Sequence, residues 1–365
     1  MTLKLRRGMV IATDPLTVRV GSEERRAWAD TAMVGEVMEG DEVIVNVEAL
    51  DLELGSGGFD VVHVNLTRGL EGGGRANLNV LKLNYTSLQH PVEPVEAPYA
   101  EGEGGAAPGL GLEGAAGEVP VLVLSLHGQL SPAAWAASRA APDLRLGYVQ
   151  TPGGALPGGL SRDVVELRRG GILSGHVTAG SAHGGEAEAI SVAGAPHAAA
   201  AALGWEAVVA GPGPGILGSA TALGHGGIAA LDTAHASLAL GLPTLLCPRL
   251  SAGDPRPRHR GLSHHSEIVL RLLLAGVRVP VPEVDEAEWP VTEQADGGSA
   301  LDHLREACGE RHDLWVRQVD LDGYAASGLP TRTMGRELAE DRLFFAAALA
   351  AGDALAAVAR KDARD

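Results

Sequence analysis

Two periods of apolar and polar residues run along the chain. Up to about residue 90, apolar positions partly alternate with polar ones over short stretches: VIATDPLTVRV, RRAWADTA, DEVIVNVEALDLEL and FDVVHVNLT, with Gly or Asp at the breaks. A period of two turns one side of an extended strand to a core and the other to water, so residues 1–90 are expected to form a small strand-rich barrel or sandwich. From Val119 onward the pattern changes. The apolar stretches VPVLVLSL, LRLGYVQ, ILSGHVT, WEAVVAG, PTLLCP, VRVPVP and LWVRQVDL alternate with segments of helical character. Strands that are apolar on both faces belong in a sheet covered on both sides, so residues 119–365 are expected to be an α/β domain with a mostly parallel, doubly wound sheet. In this reading EAEAISVAGAPHAAAAALG is helical, with Glu186 and Glu188 opening the helix. The last long helix covers TRTMGRELAEDRLFFAAALAAGDALAAVAR, with Thr331 as its N-cap.

Between these regions lies PVEPVEAPYAEGEGGAAPGLGLEGAAGE, residues 91–118, rich in Pro, Gly, Glu and Ala. It offers almost nothing to bury, so it reads as an acidic linker or surface loop, and residues 97–117 are expected to be mobile and dispensable.

Composition narrows the function. Hydrophobic residues make up 45% of the chain and charged ones 21%, a folded balance, while aromatics at 3% leave the core to Ala, Val, Leu and Ile. Asp and Glu outnumber Lys and Arg by 46 to 29, a net charge of −17. Such a surface repels phosphate backbones and anionic membranes, which argues against nucleic-acid and membrane partners. Two cysteines without a CxxC motif, and an N-terminus without a signal-peptide pattern, are expected of a cytoplasmic protein. The most apolar stretch, FFAAALAAGDALAAVA, is broken by Gly352 and Asp353 and reads as too short to span a bilayer.

In a parallel sheet, ligands bind beyond the carboxyl ends of the strands. The residues placed there include His127, Thr178, His183, Arg249 and the glycine loop GPGPGILGSATALGHGG. The loop holds Gly213-x-Gly215-x-x-Gly218, followed by the hydroxyls of Ser219 and Thr221. Glycines let backbone N–H groups approach a phosphate, although Pro212 and Pro214 offer none and no acidic residue ends a following strand, which counts against a dinucleotide cofactor. A turn needing positive φ is the alternative reading.

The segment DPRPRHRGLSHHSEIVLRLLL concentrates histidine and arginine. Ser263 is a plausible N-cap, which puts His264 and His265 in a first helical turn, where the helix dipole favours neutral imidazole. Neutral imidazole suits a general base or a metal ligand. His259, His264, His265 and Asp254 are therefore candidates for either role, against a purely structural cluster. Arg256 and Arg258 are candidates for clamping a carboxylate or phosphate, as are Arg332 and Arg336 at helical spacing. Asp232 and His235, three apart on a predicted helix, are a candidate Asp–His pair.

The run AGPGPGILGSATALGHGGIAALDTAHASLALG, then RPRHRGLSHHS, then GLPTRTMGR, resembles a bacterial family described as a domain of unknown function, number 3866. The resemblance covers nearly the whole chain. It implies that residues 211–265 and 329–336 belong to one design, and it carries no activity and no catalytic residues with it. The residues themselves point first to a small anionic ligand at the strand ends, with acid/base chemistry by the histidines as an extension. A metal-assisted hydrolase and a non-catalytic sensor or scaffold with a protein partner are the alternatives. No cofactor is assigned, and self-association into a homo-oligomer stays open. The loops around Gly213–Ser219, Asp254–His265 and Thr331–Arg336 are expected to converge on one crevice.

Overall fold

The computed structural model describes residues 2–54, 57–74, 77–97, 119–219, 221–292 and 297–361. Contacts divide the chain into two compact units, Met1–Val92 and Glu93–Asp365.

In the first unit five strands close into a barrel: β1 (Leu5–Thr13), β2 (Leu16–Val20), β3 (Glu23–Trp28), β4 (Glu42–Asn46) and β5 (Asp60–Asn65), in the order β1-β2-β3-β5-β4. Its pairs are antiparallel except β3 with β5. Alternate valines, among them Val10, Val18, Val43, Val45 and Val62, fill the interior, as the period of two requires. Two single-turn helices, α1 (Thr31–Val34) and α2 (Glu48–Asp51), interrupt the strands, and β6 (Val80–Lys82) pairs with β7 (His90–Val92).

The second unit is built on eight parallel strands. They are β8 (Val121–Val123), β9 (Leu146–Thr151), β10 (Gly175–Ala179), β11 (Ala187–Ala189), β12 (Ala207–Pro212), β13 (Thr244–Leu246), β16 (Arg278–Pro282) and β17 (Asp313–Arg317). Their spatial order is β11-β10-β9-β12-β8-β13-β16-β17. Successive residues of β8 point to opposite faces: Val121 and Val123 join one core, Leu122 and Leu124 the other. Helices α5 (Gly194–Leu203), α6 (Ala229–Ala239), α7 (His264–Leu272) and α8 (Ala300–Cys308) pack on the first face. Helices α3 (Leu130–Ala140), α4 (Arg162–Arg169) and much of α10 (Arg342–Ala359) cover the second, with the short α9 (Leu321–Ala325) near α10. This is the doubly wound α/β sheet expected from the continuous apolar strands.

Helix α10 has 18 residues and a mean hydropathy of 1.6, so by length and composition it passes as a membrane span, contrary to the reading that this stretch is too short. Yet 72% of it is buried inside the protein. Gly352 and Asp353 do not break it. A side chain at Gly352 would overlap the backbone of Ala133 on α3, so glycine is what lets these two alanine-rich helices cross closely.

Three local expectations are corrected. Glu188 lies in edge strand β11 instead of opening a helix, and α5 starts only at Gly194. Helix α10 starts at Arg342, so Thr331 is no N-cap. Arg332 and Arg336 sit in a hairpin, β18 (Arg332–Thr333) with β19 (Arg336–Glu337), not on one helix face. The turn places Met334 and Gly335 at φ of 48° and 81°, the left-handed pair that a two-residue hairpin needs and a helix excludes. Of the proposed linker, residues 98–118 fall outside the described residues. The five residues before them pack on the second unit: Val95 is buried, and Glu96 accepts hydrogen bonds from the backbone of Ile190 and Ser191.

Candidate functional site

Strand β8 lies between β12 and β13, and the chain leaves it toward β9, β10 and β11 on one side before β13, β16 and β17 extend the other. This reversal of direction opens a crevice at the strand carboxyl ends. A cavity of about 670 Å³ occupies it. Its walls are Leu126–Gly128 after β8, Pro214–Ser219 after β12, Arg249, Pro255, Arg256, Arg258 and His259 after β13, His265 on α7, Asp163 on α4, and the tip of the β18–β19 hairpin. The glycine loop, the arginine–histidine segment and the 331–336 segment, distant in sequence, therefore meet at one place.

Arg249 is the anchor of this wall, with its side chain 2% exposed. Strands β14 (Leu250–Ser251) and β15 (Gly261–Leu262) pair beside it. Its guanidinium reaches Asp254 at 3.2 Å, the Met334 sulfur at 3.2 Å and the His265 Nδ1 at 3.4 Å. Burial lowers its pKa to about 10, which leaves it charged at neutral pH. Asp254 also receives Arg256 through two guanidinium hydrogen bonds and Arg336 at 3.3 Å. Burial works to raise the Asp254 pKa. The Arg256 hydrogen bonds, with help from Arg336, outweigh it and hold the carboxyl well below the ordinary range. Arg336 continues to the fully buried Asp341, whose other contacts are the Ser251 hydroxyl and the Ala252 and Gly253 amides. Three arginines and two aspartates thus interlock across residues 249–341, with one positive charge in excess. Asp254, a candidate metal ligand by sequence, spends its oxygens on arginines.

Four histidines gather beside this network. The Ser263 hydroxyl caps α7 by accepting from the His265 amide, and also bonds His259 Nδ1 at 2.8 Å. His264 and His265 thus stand in the first turn, with rings 4.4 Å apart. His225 stacks on His265 at 3.8 Å, nearly parallel. Burial is the main cause lowering all four pKa values, reinforced by the neighbouring imidazoles and arginines: to about 3 for His259, about 4 for His264 and about 2 for His265, with His225 also lowered. All are neutral at pH 7. His225 joins the cluster although sequence reasoning did not single it out: it stands 39 positions before His264, inside the glycine loop read for its glycines and hydroxyls.

The glycine loop does not cradle a helix N-terminus. Gly218 pairs with His225 in an antiparallel bridge, and α6 starts at Ala229. Residues 217–219 pair with residues 224–226, and the Ser219 and Thr221 hydroxyls bond each other and Gly224. Gly215 has φ of 73°, the turn that only glycine adopts easily, while Gly213 is buried against Gln150 and Ala155. The dinucleotide-loop reading fails because a hairpin separates the glycines from the helix.

Other candidates are engaged elsewhere. His127 lines the crevice with both ring nitrogens occupied, by the Pro212 carbonyl at 3.1 Å and the Ser161 hydroxyl at 2.6 Å, and burial lowers its pKa. Thr178, near the end of β10, and His183, in the loop after it, are both buried, and Thr178 donates to Glu188 at 2.7 Å. Asp232 is exposed on α6, and His235 accepts from the Leu274 amide, so the pair expected from their helical spacing is not made.

The family model described as protein of unknown function (DUF3866) matches residues 26–352, and the chain belongs to that family. No curated protein and no solved structure matches the chain.

Proposed function

We propose that the chain binds a small anion, phosphate- or carboxylate-bearing, in the crevice at the carboxyl ends of β8, β12 and β13. The observation that carries this reading is charge. Five arginines line the cavity, Arg249, Arg256, Arg258, Arg332 and Arg336, against one acidic side chain among the described lining residues, Asp163. They do so on a chain of net charge −17. Arg258 makes no ion pair or hydrogen bond among the described residues. Arg332 makes only long contacts, 3.6 Å to Glu337 and 3.5 Å to the Gly335 carbonyl. These two guanidinium groups are open to a ligand, and the buried Arg249–Asp254–Arg336–Asp341 network holds the wall on which Arg256 sits.

The cavity is of a size that suits a metabolite. His259 and His265 would meet the ligand as neutral hydrogen-bonding groups. Basicities lowered to about 2–4 make His259, His264 and His265 weak proton acceptors at pH 7, so this reading is of binding before proton abstraction.

Calorimetric titration with inorganic phosphate, a sugar phosphate and a dicarboxylate tests it. Saturable one-to-one binding of at least one is expected. Arg258→Ala should weaken it about 10- to 100-fold, the loss of one or two charge-assisted hydrogen bonds. No binding of any of the three, or equal binding by Arg258→Ala, overturns the reading.

A further inference from the structure

His225 and His264 each bury a ring nitrogen without a partner: Nδ1 of His225 and Nε2 of His264. For His225 the tautomer follows from its surroundings. Its Nε2 lies 2.9 Å from the Ala222 carbonyl, which can only accept, so Nε2 carries the proton and Nδ1 the lone pair. A histidine that donates one N–H to a backbone carbonyl and leaves the other nitrogen free is oriented as metal ligands are. The protein otherwise gains nothing from this lone pair, since a buried acceptor left unmet costs about 1–3 kcal/mol.

The third nitrogen belongs to His265. A Cβ on Gly227 would lie 3.1 Å from His265 Nδ1 and 3.2 Å from His225 Nδ1, so these two atoms flank the space that residue 227 leaves free. Ligand nitrogens of His225, His264 and His265 all lie within 4.8 Å of one another. Tetrahedral ligands at zinc–nitrogen distances stand ~3.4 Å apart, so the rings close by about 1.4 Å at most. The Arg249 contact to His265 Nδ1, at 3.4 Å, is longer than the 2.9 Å bond that orients His225, and it yields while Arg249 keeps Asp254.

We propose that His225, His264 and His265 form a three-nitrogen site for a divalent transition metal of the zinc class. An all-imidazole donor set selects such ions over magnesium or calcium. Three protein ligands leave coordination positions open, as in catalytic instead of structural sites. Asp254 and His259 stay outside the ligand set, occupied by arginines and by Ser263. The site rests on its own geometry and does not depend on the anion reading.

Zn²⁺ and Co²⁺ titrated into chelator-treated full-length protein test the proposal, by calorimetry and by the visible absorption of bound cobalt. One ion per chain is expected. His225→Ala and His264→Ala should each bind about a hundredfold more weakly or worse, since losing a ligand costs at least as much as losing its orienting partner. Circular dichroism checks folding. Should His225→Ala not fold, His225→Gln takes its place, and His264→Ala tests a second ligand independently. Failure of the parent protein to take up either ion at micromolar concentration overturns the proposal, as does uptake unchanged in both histidine variants. The metal is titrated alone, so the result is read separately from the anion titration.

Discussion

The loop after β10 and the segment after β13 leave the same edge of one sheet, and both carry histidine among glycine and hydroxyl residues. After β10 the polar groups satisfy one another. Thr178 donates to Glu188, Gly184 donates to the same carboxylate, and Gly185 donates to Thr178. The backbone of His183 pairs with residues 156 and 158. After β13 the internal bonds leave a remainder: an open guanidinium at Arg258, an unpartnered nitrogen on His264, which meets that of His225 from the loop after β12, and one positive charge beyond the carboxylates. A polar loop is a candidate site for what remains after its own hydrogen bonds are made, not for what it contains. Position in the sheet decides which outcome a loop reaches. The β10 loop is tied to edge strand β11, whereas β8, β12 and β13 flank the point where the chain reverses direction and their loops part.

The sharpest test of this contrast is carboxylate removal. Asp254→Asn leaves Arg249 buried with its charge uncompensated and should cost about 3–5 kcal/mol in urea unfolding. Glu188→Gln, on the half-exposed edge strand β11 that closes the β10 loop, should cost about 1–2 kcal/mol. Equal losses would mean that both loops are structural in the same way.

A smaller effect is expected with pH. His127, His176, His225, His259, His264 and His265 all have lowered folded-state pKa values, mainly through burial. Below about pH 6.5 the unfolded chain takes up protons that these folded rings refuse, so stability falls as pH falls toward 4. The slope is on the order of 1 kcal/mol per pH unit for each ring held fully neutral. Unfolding measured from pH 7 to 5 with a chelator present should show it. A double variant, His259→Asn with His265→Asn, should flatten the slope. A stability that is constant over this range would show that the cluster charges in the folded protein.

The smallest effect is expected at the glycine loop. Ser219→Ala removes a hydroxyl that bonds Thr221 and Gly224 on an exposed turn. It should change stability by no more than about 0.5 kcal/mol and leave anion affinity within about threefold. A tenfold loss of affinity would restore this loop as a direct ligand contact.

Several features were readable without any tertiary information. The period of two in VIATDPLTVRV and the doubly apolar VPVLVLSL foretold a strand-rich unit and a covered parallel sheet, because apolar spacing reports which faces of an element leave water. Ser263 was readable as a cap because its partner, the His265 amide, is two residues away. Glu188 and Arg332 were misread for the same local reason. Helical spacing is compatible with both segments, and only the pairing of β11 on β10 and the left-handed Met334–Gly335 turn exclude a helix there. The candidate site depended on tertiary structure still more. Asp254 looks like a metal ligand until Arg336, 82 residues away, reaches its carboxylate, and His225, one residue of the glycine loop by sequence, joins the histidines only because a hairpin stacks it on His265. Periodicity and capping act over a few residues and are written locally, whereas hydrogen-bond satisfaction is settled by partners that only folding brings within 3 Å.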